Sequence, residues 1–129
     1  MALDIAALPD AAEEFLRERH LATLTTLRED GSPHVVAVGF TWDADQRLVR
    51  VITSGDSVKA ANGGRGSRAA VCQVDGRRWL TLEGSTRVLT SADEVAEAED
   101  RYAGRYRRPR PNPRRVVLVL DVDRALGSL

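Results

Sequence analysis

Strand-forming segments that alternate with short turn sequences run through most of this chain, and they limit the folds that it can adopt. Turn signals lie at residues 29–32, 43–46 and 75–76, and the Asp-Gly pairs in two of them suit β-hairpins. The segments between the turns are rich in Val, Leu, Ile and Thr, as strands are. Six strands are predicted, at residues 20–28, 33–42, 47–54, 68–74, 79–90 and 115–122. Hairpin connections between so many strands predict a mainly β fold with a closed or partly closed antiparallel barrel.

Short helices are predicted before the first strand, between the third and fourth, and between the fifth and sixth. They run from residue 10 to about 19, from 57 to about 62, and from 91 to about 106. Asp10 with Glu13, and Ser91 with Glu94, have the three-residue spacing of a capping box. The pair at residues 63–64, Gly-Gly, is expected to end the second helix. The second and third helices are expected to plug or flank the openings of the barrel.

Composition indicates a single domain, residues 1–129, of ordinary polarity. Nineteen basic residues balance nineteen acidic ones, so no overall field favours nucleic acid or an anionic membrane. Cys72 is the only cysteine, which rules out an intrachain disulfide and a cysteine-based metal site, and no metal is expected. The first ten residues lack the basic and apolar regions of a secretory signal, so a soluble cytoplasmic protein is expected.

A candidate phosphate site lies where the third strand runs into the second helix. Thr53, Ser54 and Ser57 supply hydroxyls there, and Lys59 is the only lysine among nineteen basic residues. Hydroxyls, a cation and free N–H groups at a helix start together suit an anion. The alternative interpretation is a serine that only caps the helix, followed by a solvated lysine.

An arginine-rich segment, residues 101–115, contains seven arginines, two tyrosines, three prolines and no acidic residue. It could bind the phosphates of a nucleic acid or an anionic small molecule, or it could be a solvated basic loop. The prolines make it a stiff arm that could reach a partner subunit. Trp79, beside two arginines, could stack on a planar ligand or simply anchor its strand. No catalytic triad, phosphate loop or metal cluster is present, so reactive chemistry would belong to a bound organic cofactor.

Several of these segments resemble the split-barrel family that is similar to pyridoxamine 5'-phosphate oxidase, and the resemblance covers residues 14–127. TLREDGSPHVVAVGF resembles the opening hairpin of the family, and Thr53-Ser54 with Ser57-x-Lys59 matches its phosphate-binding segment. WLTLEG, from Trp79, matches the strand that crosses near the ring of the cofactor. The arm RYRRPRPNPRR is shared with the subgroup of biliverdin reductases that depend on coenzyme F420, a deazaflavin.

The resemblance implies a six-stranded antiparallel split β-barrel that works as a homodimer, with two cofactors in grooves at the subunit interface. The apolar segments at residues 35–40 and 116–120 support a dimer, since they offer more hydrophobic surface than one small barrel needs. The cofactor-binding residues implied by the resemblance are Val35, Val36, Ala37, Val38, Gly39, Thr53, Ser54, Ser57, Lys59, Ala60, Trp79, Arg105, Arg107 and Arg108, with Arg110 beside them in the arm. No catalytic residue is identified.

The function implied is transfer of hydride from C5 of reduced coenzyme F420 to a planar conjugated small molecule, with biliverdin as the best specific acceptor. Two alternatives keep the same fold: an FMN-binding oxidase or flavin reductase, and a protein that stores or senses F420 without fast turnover. Nucleic-acid binding through the arginine arm is disfavoured by the balanced net charge. Neither a membrane nor a nucleic acid is therefore expected as a partner.

Overall fold

Eight strands and three α-helices make up the fold in the computed structural model, which describes all 129 residues. The strands are β1 (Ala2–Leu3), β2 (Ala22–Leu27), β3 (Pro33–Val38), β4 (Thr41–Asp43), β5 (Leu48–Ser54), β6 (Arg68–Asp75), β7 (Arg78–Leu89) and β8 (Arg115–Ser128). The helices are α1 (Asp10–Arg17), α2 (Val58–Gly64) and α3 (Ala92–Arg105), and a single 3-10 turn covers Ile5–Ala7. The prediction of a mainly β antiparallel fold is confirmed, but there are eight strands and not six.

A single antiparallel sheet in the order β3-β2-β6-β7-β8-β5-β4 forms the barrel, and β1 adds to β8. Its edge strands, β3 and β4, are consecutive in the chain and are separated only by Gly39 and Phe40. The predicted strand at residues 33–42 is therefore two strands, which pair with β2 before this bend and with β5 after it. This change of partner closes one part of the barrel. The rest stays split, because β3 and residues 51–54 of β5 do not pair with each other.

The ends of two other elements differ from the prediction. The capping box predicted at Asp10 and Glu13 is wrong, since Pro9 is the N-cap of α1 and no side chain caps the helix. The last strand, β8, extends to Ser128 because its charged residues lie on an exposed face while Val122 and Ala125 stay buried. The capping box at Ser91 is confirmed in both of its hydrogen bonds.

The second helix, α2, packs against β2, β5, β7 and β8. Ser57 caps it by accepting a hydrogen bond from the backbone N–H of Ala60. The helix was expected to end at about residue 62, but it continues through Gly63 to Gly64. A side chain at position 63 would collide with Leu118. The glycine here permits α2 to approach β8 closely.

Two apolar clusters hold the structure together. The main core fills the barrel under α1, with Phe15, Leu24 and Leu82 fully buried. A smaller cluster, which includes Leu48 and Ala98, joins α3 to the outer face of β5 and β8. Residues 117–120 are completely buried in these clusters, so they do not supply the spare hydrophobic surface that was expected of them.

A buried ion pair fixes α3 and β4 against β5. Arg50 and Asp43 are 5% and 4% exposed and are joined at 3.0 Å, and Arg101 of α3 lies 3.3 Å from the same carboxylate. The carboxylate of Asp43 also accepts the backbone N–H groups of the turn that follows it. Burial acts to raise the pKa of Asp43, but the hydrogen bonds from Arg50 and from the Gln46 N–H, together with the charges of Arg101 and Arg50, keep the pKa below its usual value. None of the helices is both long enough and apolar enough to cross a membrane.

Candidate functional site

The split in the barrel forms a cleft of about 370 Å³. One wall is made by residues 37–39 at the end of β3, and the other by Val51 and Ile52 of β5. The remaining lining residues are Lys59, Tyr102, Arg107, Pro109, Arg110 and Arg115. The cleft therefore lies where the two unpaired strand edges diverge, under the end of α3 and the arginine-rich arm.

The wall formed by β3 is chemically unusual because it is the edge of a sheet. Since β3 pairs only with β2, every second residue directs its backbone N–H and C=O groups away from the sheet. Such groups can hydrogen-bond to the polar edge of a planar heterocycle, in the way that an added strand would. The edge strand thus supplies donors and acceptors to the cleft without any polar side chain.

The bend at Gly39 and Phe40 is held by the C-terminal end of α3. The hydroxyl of Tyr106 accepts from the Phe40 N–H at 3.2 Å and donates to the backbone carbonyl of His20 at 2.7 Å. The Arg105 guanidinium donates to the Phe40 carbonyl at 2.6 Å and stacks over the Phe40 ring. Burial raises the pKa of Tyr106, so its hydroxyl stays protonated and remains a donor.

Gly39 packs tightly against the same tyrosine rings. An added Cβ there would lie 3.1 Å from the rings of both Tyr102 and Tyr106. The two rings pack against each other with their centroids 4.8 Å apart. A larger residue would push these rings away from the bend and change the shape of the cleft.

The predicted phosphate segment lies beside the cleft, at the turn between β5 and α2. Thr53 donates its hydroxyl hydrogen bond to Ser57 Oγ at 3.0 Å, and Ser57 in turn caps the helix. The backbone N–H of Gly55 donates to the Arg114 carbonyl at 2.8 Å, and Arg114 pairs with Asp56 at 3.1 Å. These bonds tie the C-terminal end of the arm, at Arg114, to the turn between β5 and α2 of its own chain.

The cleft carries positive charge and no acidic residue lines it. Arg115 is paired with Glu99 at 2.6 Å and is largely buried. Lys59, Arg107 and Arg110 make no hydrogen bond or ion pair within the chain, so their charges are available to a ligand. Cations that have no internal partner, gathered around one cleft, suit a ligand with phosphate or carboxylate groups.

The model of the pyridoxamine 5'-phosphate oxidase family matches residues 8–128, nearly the whole chain. The chain belongs to this family. A protein described as F420H2-dependent biliverdin reductase, from Mycobacterium tuberculosis, is 60% identical to this chain over 121 residues. The match covers 94% of this chain and 88% of that protein. The resemblance inferred from the sequence motifs is therefore confirmed.

Solved structures give the same fold. One described as F420 reductase has a TM-score of 0.72 at 24% identity and covers 92% of this chain and 98% of its own. A conserved hypothetical protein from Mycobacterium tuberculosis has a TM-score of 0.78 at 20% identity, covering 94% of this chain and 84% of its own. Together they confirm the split-barrel fold of this family for the chain.

The structure gathers part of the predicted set of cofactor-binding residues. Those that line the cleft are Ala37, Val38, Gly39, Lys59 and Arg107. Val35 and Val36 lie farther along β3, and Thr53, Ser54 and Ser57 lie in the turn next to Lys59. Arg110, named with the arm, also lines the cleft.

Four further predicted residues do not line the cleft of their own chain. Ala60 is buried in the core side of α2, and Trp79 pairs with Ser128 at the end of β8 that is remote from the cleft. Arg108 is exposed and pairs with Asp100. Arg105 also donates to the backbone carbonyl of Glu18 and to the side-chain oxygen of Gln73, so all three guanidinium nitrogens are bonded within the fold. Burial without a carboxylate partner lowers the pKa of Arg105.

Sequence reasoning missed part of the lining: Val51, Ile52, Tyr102, Pro109 and Arg115. The two strand residues sit in an apolar run that predicts core, and no sequence signal showed that their edge is unpaired. Tyr102 had been noted only as one aromatic residue within the arginine-rich segment. Its place at the end of α3, one turn before Tyr106, is the signal that could have found it.

One cluster has the residue types of a metal site. Glu18, His20 and Asp75 bring one ligand atom each within 4.8 Å of one another. Arg78 donates to both Glu18 oxygens at 2.9 Å, and with His20 it lowers the pKa of that carboxyl to about 2. Because a guanidinium already fills the cluster, we assign no metal to it.

Proposed function

We propose that this protein is a reductase that uses coenzyme F420 and that its acceptor is biliverdin. The observation that carries the proposal is the cleft at the split, which has an unpaired backbone edge on one side and unpaired cations on the other. These two walls match a planar heterocycle joined to an anionic chain. The 60% identity to an F420H2-dependent biliverdin reductase supports the choice of this cofactor and acceptor.

The residues present fit the cofactor in three parts. The backbone of residues 37–39 would face the polar edge of the ring, and Lys59 with the hydroxyl of Ser57 would hold the phosphate, while Thr53 and Ser54 would line the ribityl side. Arg107 and Arg110 face the acidic tail, which can extend into solvent because the cleft is open. When bound, the reduced deazaflavin supplies a hydride equivalent from C5.

The chain itself contributes position and charge to this reaction. The edge strand would fix the orientation of the ring, and the partly exposed Ile52 would keep water from one side of it. The arginines hold anionic groups without giving up a proton, since a guanidinium stays protonated at ordinary pH. Water is therefore the simplest source of the proton that accompanies the hydride.

We also propose that the protein is a homodimer built on the outer face of β3, β2 and β6. Val35 and Val74 are 56% and 59% exposed on this face, so the face presents large apolar side chains to solvent in the single chain. Trp79 stands directly opposite Val74 on the same face. A second copy bound there would cover these side chains and could receive Trp79 in its own groove. The cytoplasmic location expected from the sequence remains a proposal.

The test is a turnover assay without oxygen, in which reduced F420 and biliverdin are mixed with the purified protein. We expect biliverdin to disappear as the absorbance of oxidised F420 returns, at a rate proportional to protein concentration. Tight binding of F420 with no turnover would favour storage or sensing. Turnover with reduced FMN but not with reduced F420 would favour the FMN-dependent alternative.

A further inference from the structure

A second cavity opens on the other side of Tyr102 and Arg107 from the cofactor cleft. It has a volume of about 350 Å³ and lies where the chain passes from α1 into β2, against the end of α3. Its lining residues are Arg19, His20, Leu21, Tyr102, Tyr106 and Arg107. Because Tyr102 and Arg107 line both cavities, the two cavities share a wall.

The charges in this second cavity are unbalanced. Arg19 and Arg107 make no hydrogen bond or ion pair within the chain, and no acidic residue lines the cavity. Glu18, the neighbour of Arg19 in sequence, does not neutralise it, because both Glu18 oxygens are bonded to Arg78. Two guanidinium groups that lack partners suit carboxylates, which they bind with paired hydrogen bonds.

Besides the two arginines and His20, the second cavity is lined by one leucine and two tyrosine rings. Leu21 is 65% exposed, although leucine is usually buried. It stands beside the rings of Tyr102 and Tyr106, whose centroids are 4.8 Å apart. An exposed leucine next to aromatic rings offers a surface to a flat conjugated molecule. Together, the surface and the arginines match a planar ligand that carries carboxylates.

We infer that the second cavity binds the acceptor. Arg19 holds a carboxylate on a side chain of the acceptor, and Leu21 contacts the conjugated body of the acceptor. The inference rests on the proposed function, since it assigns the acceptor of that reaction to a place next to the cofactor cleft. Because Tyr102 and Arg107 line both cavities, the two cavities are adjacent, and an acceptor held at Arg19 would extend past these side chains to meet the ring of the cofactor directly.

The experiment compares Arg19→Gln with Arg17→Gln in the turnover assay. Both arginines are exposed and lie two residues apart, but Arg17 pairs with Glu14 and does not line the second cavity. We expect Arg19→Gln to raise the KM for biliverdin about tenfold, with little change in kcat or in the affinity for F420. Arg17→Gln should behave like wild type. With biliverdin dimethyl ester, which has no free carboxylates, wild type and Arg19→Gln should have the same KM.

The possible failures are distinguishable. If wild type reduces biliverdin and Arg19→Gln has an unchanged KM, the inference is wrong while the proposed function stands. It is equally wrong if Arg19→Gln weakens F420 binding as much as biliverdin binding, since Arg19 would then belong to the cofactor site. If wild type does not reduce biliverdin, the proposed function fails. An absorbance titration of biliverdin into each protein then decides: weaker binding to Arg19→Gln alone supports the cavity, and equal binding overturns it.

Discussion

Lys59→Ala should weaken cofactor binding far more than it weakens the fold. Lys59 lines the cleft and makes no contact with a charged or polar partner in the chain, so the free protein loses little when the ammonium is removed. A change of less than about 0.5 kcal/mol in the free energy of unfolding is expected for such a site. A hydrogen bond between a charged group and a phosphate contributes about 1.5–3 kcal/mol. Since Lys59 is only partly buried, we expect the lower figure, which corresponds to about a tenfold increase in Kd.

The assay for Lys59 needs a thermal melt without cofactor and a fluorescence titration with F420. Lys59→Arg should recover part of the lost affinity, because it keeps the charge but not the compact geometry of the ammonium. Arg77→Ala is the matched control, as it removes an exposed cation from the turn between β6 and β7. If wild type, both Lys59 variants and the control all titrate alike, Lys59 is only a solvated helix residue and the phosphate site is misplaced.

Three further predictions follow from the fold. Sedimentation equilibrium should give about twice the chain mass of 14.1 kDa, and a monomer at micromolar concentration would rule out the proposed dimer. Tyr106→Phe should lower the free energy of unfolding by about 1–3 kcal/mol, because the Phe40 N–H and the His20 carbonyl lose their partner. Tyr102→Phe is the control, since the hydroxyl of Tyr102 makes no hydrogen bond, and it should melt like wild type. Equal melting temperatures for the two variants would contradict the role given to the Tyr106 hydroxyl. The pKa of Glu18 is lowered from 4.5 to about 2, so this carboxylate stabilises the fold above pH 4.5 and loses its contribution as the pH falls towards 2. In urea unfolding at a series of pH values, the free energy of unfolding should fall less steeply between pH 4.5 and 2 for Glu18→Gln than for wild type. The same pH dependence in both proteins would refute the assignment.

The local parts of the fold could be predicted from the sequence because short-range rules govern them. Gly31 and Gly76 adopt positive φ angles of 86° and 62° at two of the predicted turns, where an Asp-Gly pair signals that geometry. The capping box at Ser91 depends only on Glu94, three residues away. By contrast, the predicted box at Asp10 failed because the preceding Pro9 takes the cap position itself.

The bend that creates the cleft could not be predicted in this way. Residues 33–42 look like one continuous strand, and the break at Gly39 depends on Tyr106 and Arg105, which are more than sixty residues away in sequence. For the same reason, the arginine-rich arm could be identified as a binding segment, but the sequence does not separate the arginines that stabilise the fold from those that face the cleft. Arg105 serves the fold and Arg107 faces the cleft, and only the path of α3 separates the two roles.

Titration of the wild-type protein with F420 and with FMN, at low and at high salt, tests the central claim most directly. The cleft should bind F420 with a Kd in the micromolar range or below and FMN more weakly, because only F420 carries the extra carboxylates that Arg107 and Arg110 can hold. The F420 affinity should fall as salt rises, since screening acts within about 8 Å at physiological ionic strength and these charges are partly exposed. Equal affinities for the two cofactors, with neither changed by salt, would contradict the account.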